Sequence, residues 1–222
     1  MLSDKKIILC SASPRRQQLL RELGYEFEVL IKDVDESFPV TLKAGNVAIF
    51  LAEKKAEAFR NAFEENKIYI TADTIVWMNG EFLGKPVDRE DAFQMLKKLS
   101  GNTHQVYTGV CLSSTENKKT FCVRSDVRFK KMTDEDLKYY IEYYRPFDKA
   151  GSYGAQECLP PGMNPCSDQE KEFLTEIGKP DLFEKTLSSK KAQMPLIEKI
   201  EGSYFNVMGL PVVELHGGIE KW

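Results

Sequence analysis

The chain has 222 residues, 42% of them hydrophobic and 29% charged, which suffices for one domain with a buried core and lies near the average for soluble globular proteins. A formal net charge of -3 gives no general attraction for a polyanion, so a nucleic-acid partner is not expected and a phosphate ligand has to be held locally. Five cysteines (Cys10, Cys111, Cys122, Cys158 and Cys166) form no CxxC pair, which argues against a zinc site or a disulfide framework and for a reducing, cytoplasmic setting, and no apolar run approaches the ~20 residues of a membrane span.

In chain order, Ile7 to Cys10 reads as a short strand ending in SASPRR, where Ser13 can cap a helix and Pro14 can occupy its first turn. Leu19, Leu20 and Leu23 give that helix an apolar face, Gly24 ends it, and Tyr25 to Ile31 reads as a second strand. A longer helix from about Ala44 to Phe63 precedes the strand Ile68 to Trp77, and Asn79-Gly80 offers a hairpin turn into Glu81 to Leu83. Asp88 and Asp91 open a helix running to Leu99. Strands around 105–114 and 119–130 follow, and Thr133 opens a Tyr-rich helix to about Tyr144. This alternation predicts an α/β fold in one domain without internal repeats. Between Leu159 and Pro195, PPGMNP, clustered charges and Gly178-Lys179-Pro180 read as a loop-rich insertion with one or two short helices. From about Met163 to Lys191 it is expected to be a peripheral accessory, with a lid or a dimer contact as the alternatives.

Several polar residues occupy positions that periodicity assigns to the core. Lys54 falls within the stripe Val47, Phe50, Leu51 and Ala58, so it either snorkels outward or faces an anion such as phosphate. Asp73 interrupts the apolar run Ile68 to Trp77. It sits either on a wet strand face or where it is paired, metal-bound or at the mouth of a cleft. Asp33, Asp35 and Glu36 follow the second strand, where ligands gather in open α/β sheets, though alone they would pass for a polar turn. SASPRR fits an anion cradle and a plain helix cap equally well. Gly84-Lys85-Pro86 lacks the spacing of a P-loop, and alone reads as a turn. His104 and His216 have no metal-ligand spacing and read as structural or surface residues.

Six blocks, in order, resemble the Maf family: SASPRRQQLL at 11–20, ADTIV at 72–76, LGKPVDREDAFQMLKKLSG at 83–101, HQVYTGV at 104–110, DKAGSYGAQ at 148–156 and IEGSYFNVMGLP at 200–211. The resemblance implies an elongated mixed sheet with helices forming two lobes around a cleft, like the inosine triphosphate pyrophosphatases, and a homodimer. It implies hydrolysis of a nucleoside triphosphate to the monophosphate and pyrophosphate with a divalent metal, Mg²⁺ or Mn²⁺. By position, Asp73 matches the family's proton acceptor and, with Glu36, the metal site. Ser13, Arg15, Arg16, Lys54 and Lys85 match phosphate-handling positions. Arg15, Thr74 and Gln156 match the specificity positions of the branch acting on dTTP and UTP. The alternatives are a pyrophosphatase for 7-methyl-GTP or other modified purines, and a nucleotide-binding division regulator with little catalysis. Glu157 departs from the family pattern, in which glycine is common after the glutamine, and the insertion has no counterpart in short members.

Overall fold

The computed structural model describes residues 5–182 and 194–222. Its strands are β1 (Lys6–Leu9), β2 (Phe27–Val29), β3 (Lys67–Met78), β4 (Glu81–Leu83), β5 (Thr103–Ser113), β6 (Lys118–Phe129) and β7 (Ile197–Glu201). Its helices are α1 (Pro14–Glu22), α2 (Gly45–Ala58), α3 (Arg89–Leu99), α4 (Asp134–Tyr144), α5 (Ala155–Cys158), α6 (Asp168–Glu176), α7 (Tyr204–Met208) and α8 (Val212–Ile219). The strand order is β2-β1-β3-β5-β6-β7, with β4 on β3. The pairing is mixed: β1 lies parallel to both β2 and β3, whereas β4 and β7 pair antiparallel. The expected α/β class is therefore what the chain adopts.

Two compact units divide the chain. One runs to Thr74 and adds Tyr107–Val123 and Phe205–Trp222; the other comprises Ile75–Val106 and Arg124–Tyr204. In the first, α2 lies close on the sheet because β5 offers a glycine beneath it. A Cβ on Gly109 would stand 2.3 Å from the Ala48 carbonyl oxygen, well inside any tolerable contact. Thr71 of β3 adds a fixing bond, its Oγ1 donating to the Ala52 carbonyl at 2.7 Å. These two contacts set both the height and the rotation of α2, and so decide which of its side chains overhang β3.

In the second unit, β3 turns into β4 through Asn79 and Gly80, both at positive φ (51° and 86°), as a two-residue hairpin of the primed kind requires. Thr133 and Asp136 form a reciprocal capping box on α4, which holds the helix start at the residue the sequence points to. The insertion folds in part as α6, whose Glu170, Phe173 and Leu174 are buried. Phe183 and Leu187, two further apolar residues of the insertion, lie outside the described residues. No helix among the described residues is long and apolar enough to cross a membrane.

Candidate active site

SASPRR forms first of all a helix cap. Ser13 Oγ accepts from the Arg16 amide at 3.4 Å, and Pro14 occupies the first turn of α1. Arg16 then turns inward. Its Nε donates to the Gly209 carbonyl at 2.8 Å and its Nη2 to Thr74 Oγ1 at 3.1 Å, while Arg15 is half-exposed. Burial lowers the Arg16 pKa and the Asp73 charge works the other way. A guanidinium starts so high that it stays charged regardless.

Thr74 is the centre of a directed chain of hydrogen bonds. Thr108 Oγ1 donates to the Asn206 carbonyl at 2.9 Å, and the two threonine hydroxyls stand 2.9 Å apart. Thr108 has one hydroxyl hydrogen and gives it to Asn206, so Thr74 must donate to Thr108 while accepting from Arg16. Two carbonyls at the α7 end of the chain, those of Asn206 and Gly209, thus orient Thr108 and Arg16, and both of these converge on Thr74.

Asp73, next to Thr74 and 8% exposed, lies on the same face of β3 as Thr71. With α2 fixed over Thr71, the residue that reaches Asp73 is Lys55. Its ammonium donates to Asp73 Oδ1 and, at 2.9 Å, to Glu36 Oε1. Lys54, singled out by periodicity, points elsewhere: it donates to Asp35 Oδ2 and to the Ser37 carbonyl, both at 2.8 Å. Exposed Asp35 is held well below the usual carboxylate range, first by the Lys54 hydrogen bond and then by Ser37. The buried stripe of α2 is Val47, Ala48, Leu51, Ala52 and Ala56, rotated from the expected one, so Lys55 borders the sheet instead of Lys54.

Asp73 and Glu36 reach a single ammonium, so two carboxylates can address one cation position. They are hard oxygen donors of the kind Mg²⁺ takes. Among the described residues no group of three or more His, Cys, Asp or Glu is placed to hold a metal ion.

Lys85 and Gln156 belong to the other unit. Within that unit their blocks are tied together. Gly151, at φ 66°, donates its amide to the Gly84 carbonyl at 3.0 Å, and a Cβ on it would meet Val76 Cγ2 at 2.9 Å. The turn carrying Gln156 is fixed through Tyr140, whose hydroxyl donates to Glu157 Oε2 at 3.1 Å and accepts the Gly154 amide at 3.0 Å. Glu157, the departure from the family pattern, thus holds the turn that presents Gln156. His104 packs edge-on against Phe129 and Tyr153, with its Nε2 2.7 Å from Tyr153 Oη. Burial takes its pKa from 6.5 to about 3.

Residues 6–161 match the family described as Maf-like protein. The chain belongs to the Maf family. Full-length relatives agree with this. A Bacteroides thetaiotaomicron protein named dTTP/UTP pyrophosphatase is 39% identical over 221 residues, covering 99% of this chain and 97% of that protein. Proteins of the same name from Bacteroides fragilis and Flavobacterium johnsoniae are 42% and 41% identical over 221 and 220 residues; these alignments cover 99% and 97% of this chain and 97% and 96% of the relatives. The Maf family match stops near the start of the insertion, whereas these alignments run across nearly the whole length. Among solved structures, the Staphylococcus aureus Ham1 protein is 16% identical, with a TM-score of 0.41 over 84% of this chain and 100% of that one, too low a likeness to carry an argument.

Proposed function

We propose that this Maf protein hydrolyses dTTP and UTP to the nucleoside monophosphate and pyrophosphate. The observation that carries the reading is the convergence of Asp73 and Glu36 on Lys55, one residue from the hydrogen-bonded Thr74. Relatives near 40% identity named for this activity support it.

In the proposed reaction a water oxygen forms a bond to the α-phosphorus, and the bond from that phosphorus to the oxygen bridging to the β-phosphate breaks. The water proton passes to the Asp73 carboxylate, and pyrophosphate departs with the electron pair. Lys55 offsets negative charge beside Asp73, so the carboxylate is held in place before substrate arrives. Ser13, Arg15, Arg16 and Lys85 are assigned to the phosphates, with Arg16 also orienting Thr74, whereas Lys54 is turned to Asp35 and the Ser37 carbonyl. Arg15, Thr74 and Gln156 are assigned to base selection. Asp73 and Glu36 would hold Mg²⁺ or Mn²⁺, which when bound neutralises phosphate oxygens and makes a water more acidic. A cytoplasmic homodimer accompanies this reading, and all five cysteines are free thiols.

The test is pyrophosphate release across dTTP, UTP, CTP, dGTP and 7-methyl-GTP with each metal, together with solution mass by light scattering. Preference for dTTP and UTP supports the reading. Preference for 7-methyl-GTP, or no release from any triphosphate, overturns it.

A further inference from the structure

Glu170 lies in the insertion, beyond residue 161 where the family match ends, and is completely buried. Its Oε2 accepts from the Ser167 amide at 2.8 Å, from Ser167 Oγ at 3.0 Å and from the Tyr204 amide at 3.1 Å. Its Oε1 accepts from Ser203 Oγ at 2.6 Å. The Ser167 bonds belong to an ordinary capping box on α6. Those from Ser203 and Tyr204 do not, because they come from the first residue of α7 and the residue before it. The same turn is held from the sheet side, where Ser125 Oγ of β6 donates to the Ser203 carbonyl at 2.7 Å. Capping α6 needs one carboxylate oxygen at the surface. Burying the whole group, with four donors shared over both oxygens, goes beyond that need and fastens a second element.

The element fastened is α7, a helix of five residues, too short to hold its own position through helix formation alone. Asn206 in its middle and Gly209 just after it supply the carbonyls that orient Thr108 and Arg16 on Thr74. We infer that Glu170 is a positioning residue: by anchoring the start of α7, it sets the hydrogen-bonded chain that ends on Thr74 beside Asp73. The inserted segment thereby takes part in the reaction without touching substrate. The inference rests on the dTTP/UTP pyrophosphatase reading. It goes further by assigning to a segment outside the family match a role in turnover.

The experiment is a double-mutant cycle on the full chain, measuring kcat and KM for dTTP and thermal midpoint for Glu170→Ala, Thr108→Val and the pair, with Glu170→Gln as the conservative control. Displacement of a positioned group by about 1 Å costs up to about 10²-fold in rate. Glu170→Ala is therefore expected to lower kcat about 10-fold or more at temperatures where it is fully folded, with KM changed less than about threefold. Glu170→Gln should recover most of the loss, since its amide oxygen can still accept from Tyr204 and Ser167. The pair should lose clearly less than the product of the single losses, because both act through Thr74. A lowered midpoint with unchanged kcat overturns the inference, as does a multiplicative pair. Should Glu170→Ala not fold, the cycle uses Ser203→Ala, which keeps the carboxylate; a kcat loss of about threefold supports the inference and an unchanged kcat overturns it. If wild-type protein releases no pyrophosphate from any triphosphate, the functional reading itself fails and takes this inference with it. An active wild type with a fully active Glu170→Ala sinks the inference alone.

Discussion

Lys55 and Lys54 are neighbours on α2 with different partners: the first bonds Asp73 and Glu36, the second Asp35 and the Ser37 carbonyl. The two positions therefore separate cleanly by mutation. Lys55→Met is expected to reduce kcat about 10²-fold or more, because Asp73 loses the ammonium that holds its carboxylate in place before substrate arrives. Lys54→Met, which breaks a more exposed pair, should cost less than about fivefold in kcat and leave stability little changed. Steady-state kinetics of the two purified variants decide the matter, and the opposite ranking would restore the role that periodicity gives Lys54.

Asp73→Asn keeps the side-chain volume, and is expected to leave the fold in place while lowering turnover about 10²- to 10⁴-fold, the usual consequence of losing a general base. Nucleotide binding, followed by calorimetry with a non-hydrolysable dTTP analogue, should persist within about tenfold. Turnover near that of the wild type would remove Asp73 from the mechanism.

Gly109 and Gly80 make a matched pair for stability. Gly109→Ala drives a methyl into the Ala48 carbonyl and is expected to cost about 3 kcal/mol or more and to lower activity, since α2 must move off β5 and carry Lys55 with it. Gly80→Ala meets nothing within 4 Å and has only its positive φ of 86° against it, so about 1–2 kcal/mol is expected with kcat unchanged. Urea unfolding and kinetics on both variants check the contrast; equal effects on activity would show that helix height does not govern the site.

His104 makes stability depend on pH. Its folded pKa of about 3 lies below the ordinary 6.5, so in that interval the unfolded chain binds a proton that the folded chain refuses. The contribution is complete above pH 6.5 and is lost as pH falls toward 3, at up to about 1.4 kcal/mol per pH unit. Between pH 7 and pH 4.5 the wild type should lose about 2–3 kcal/mol more than His104→Gln, which cannot titrate. Parallel stability curves for the two proteins would mean that the buried imidazole takes up its proton normally.

Much of the framework was legible because its signals are local. The Ser13–Pro14 cap, the Asn79-Gly80 turn and the Thr133 capping box each need only a few adjacent residues, and each stands where it was expected. Lys55 was not legible, because the rotation of α2 is set by Thr71 and Gly109, which reach it from strands distant in sequence. A single helix with apolar residues on much of its surface cannot choose between adjacent stripes. β7 and α7 escaped for a different reason: IEKIE carries charges on a short strand, and five helical residues are too few for a periodic pattern. Glu170 sits in a charged helix, which in sequence looks like a solvated face. Ser167 three residues earlier marks a cap, but nothing local announces Ser203 and Tyr204 as further donors.

The clearance above Gly109 has a consequence for how this chain can vary. Asp73 is carried by a strand and Lys55 by a helix, so their separation depends on the gap between two layers, and over Gly109 that gap leaves no room for a Cβ. Substitutions on the outer surface of α2 leave the gap alone and should be broadly tolerated. Beneath the helix one position admits nothing larger than glycine. The spacing of the reactive groups is thus protected by a side chain that is absent, and a mutational scan should find its sharpest intolerance at a residue that carries no chemistry.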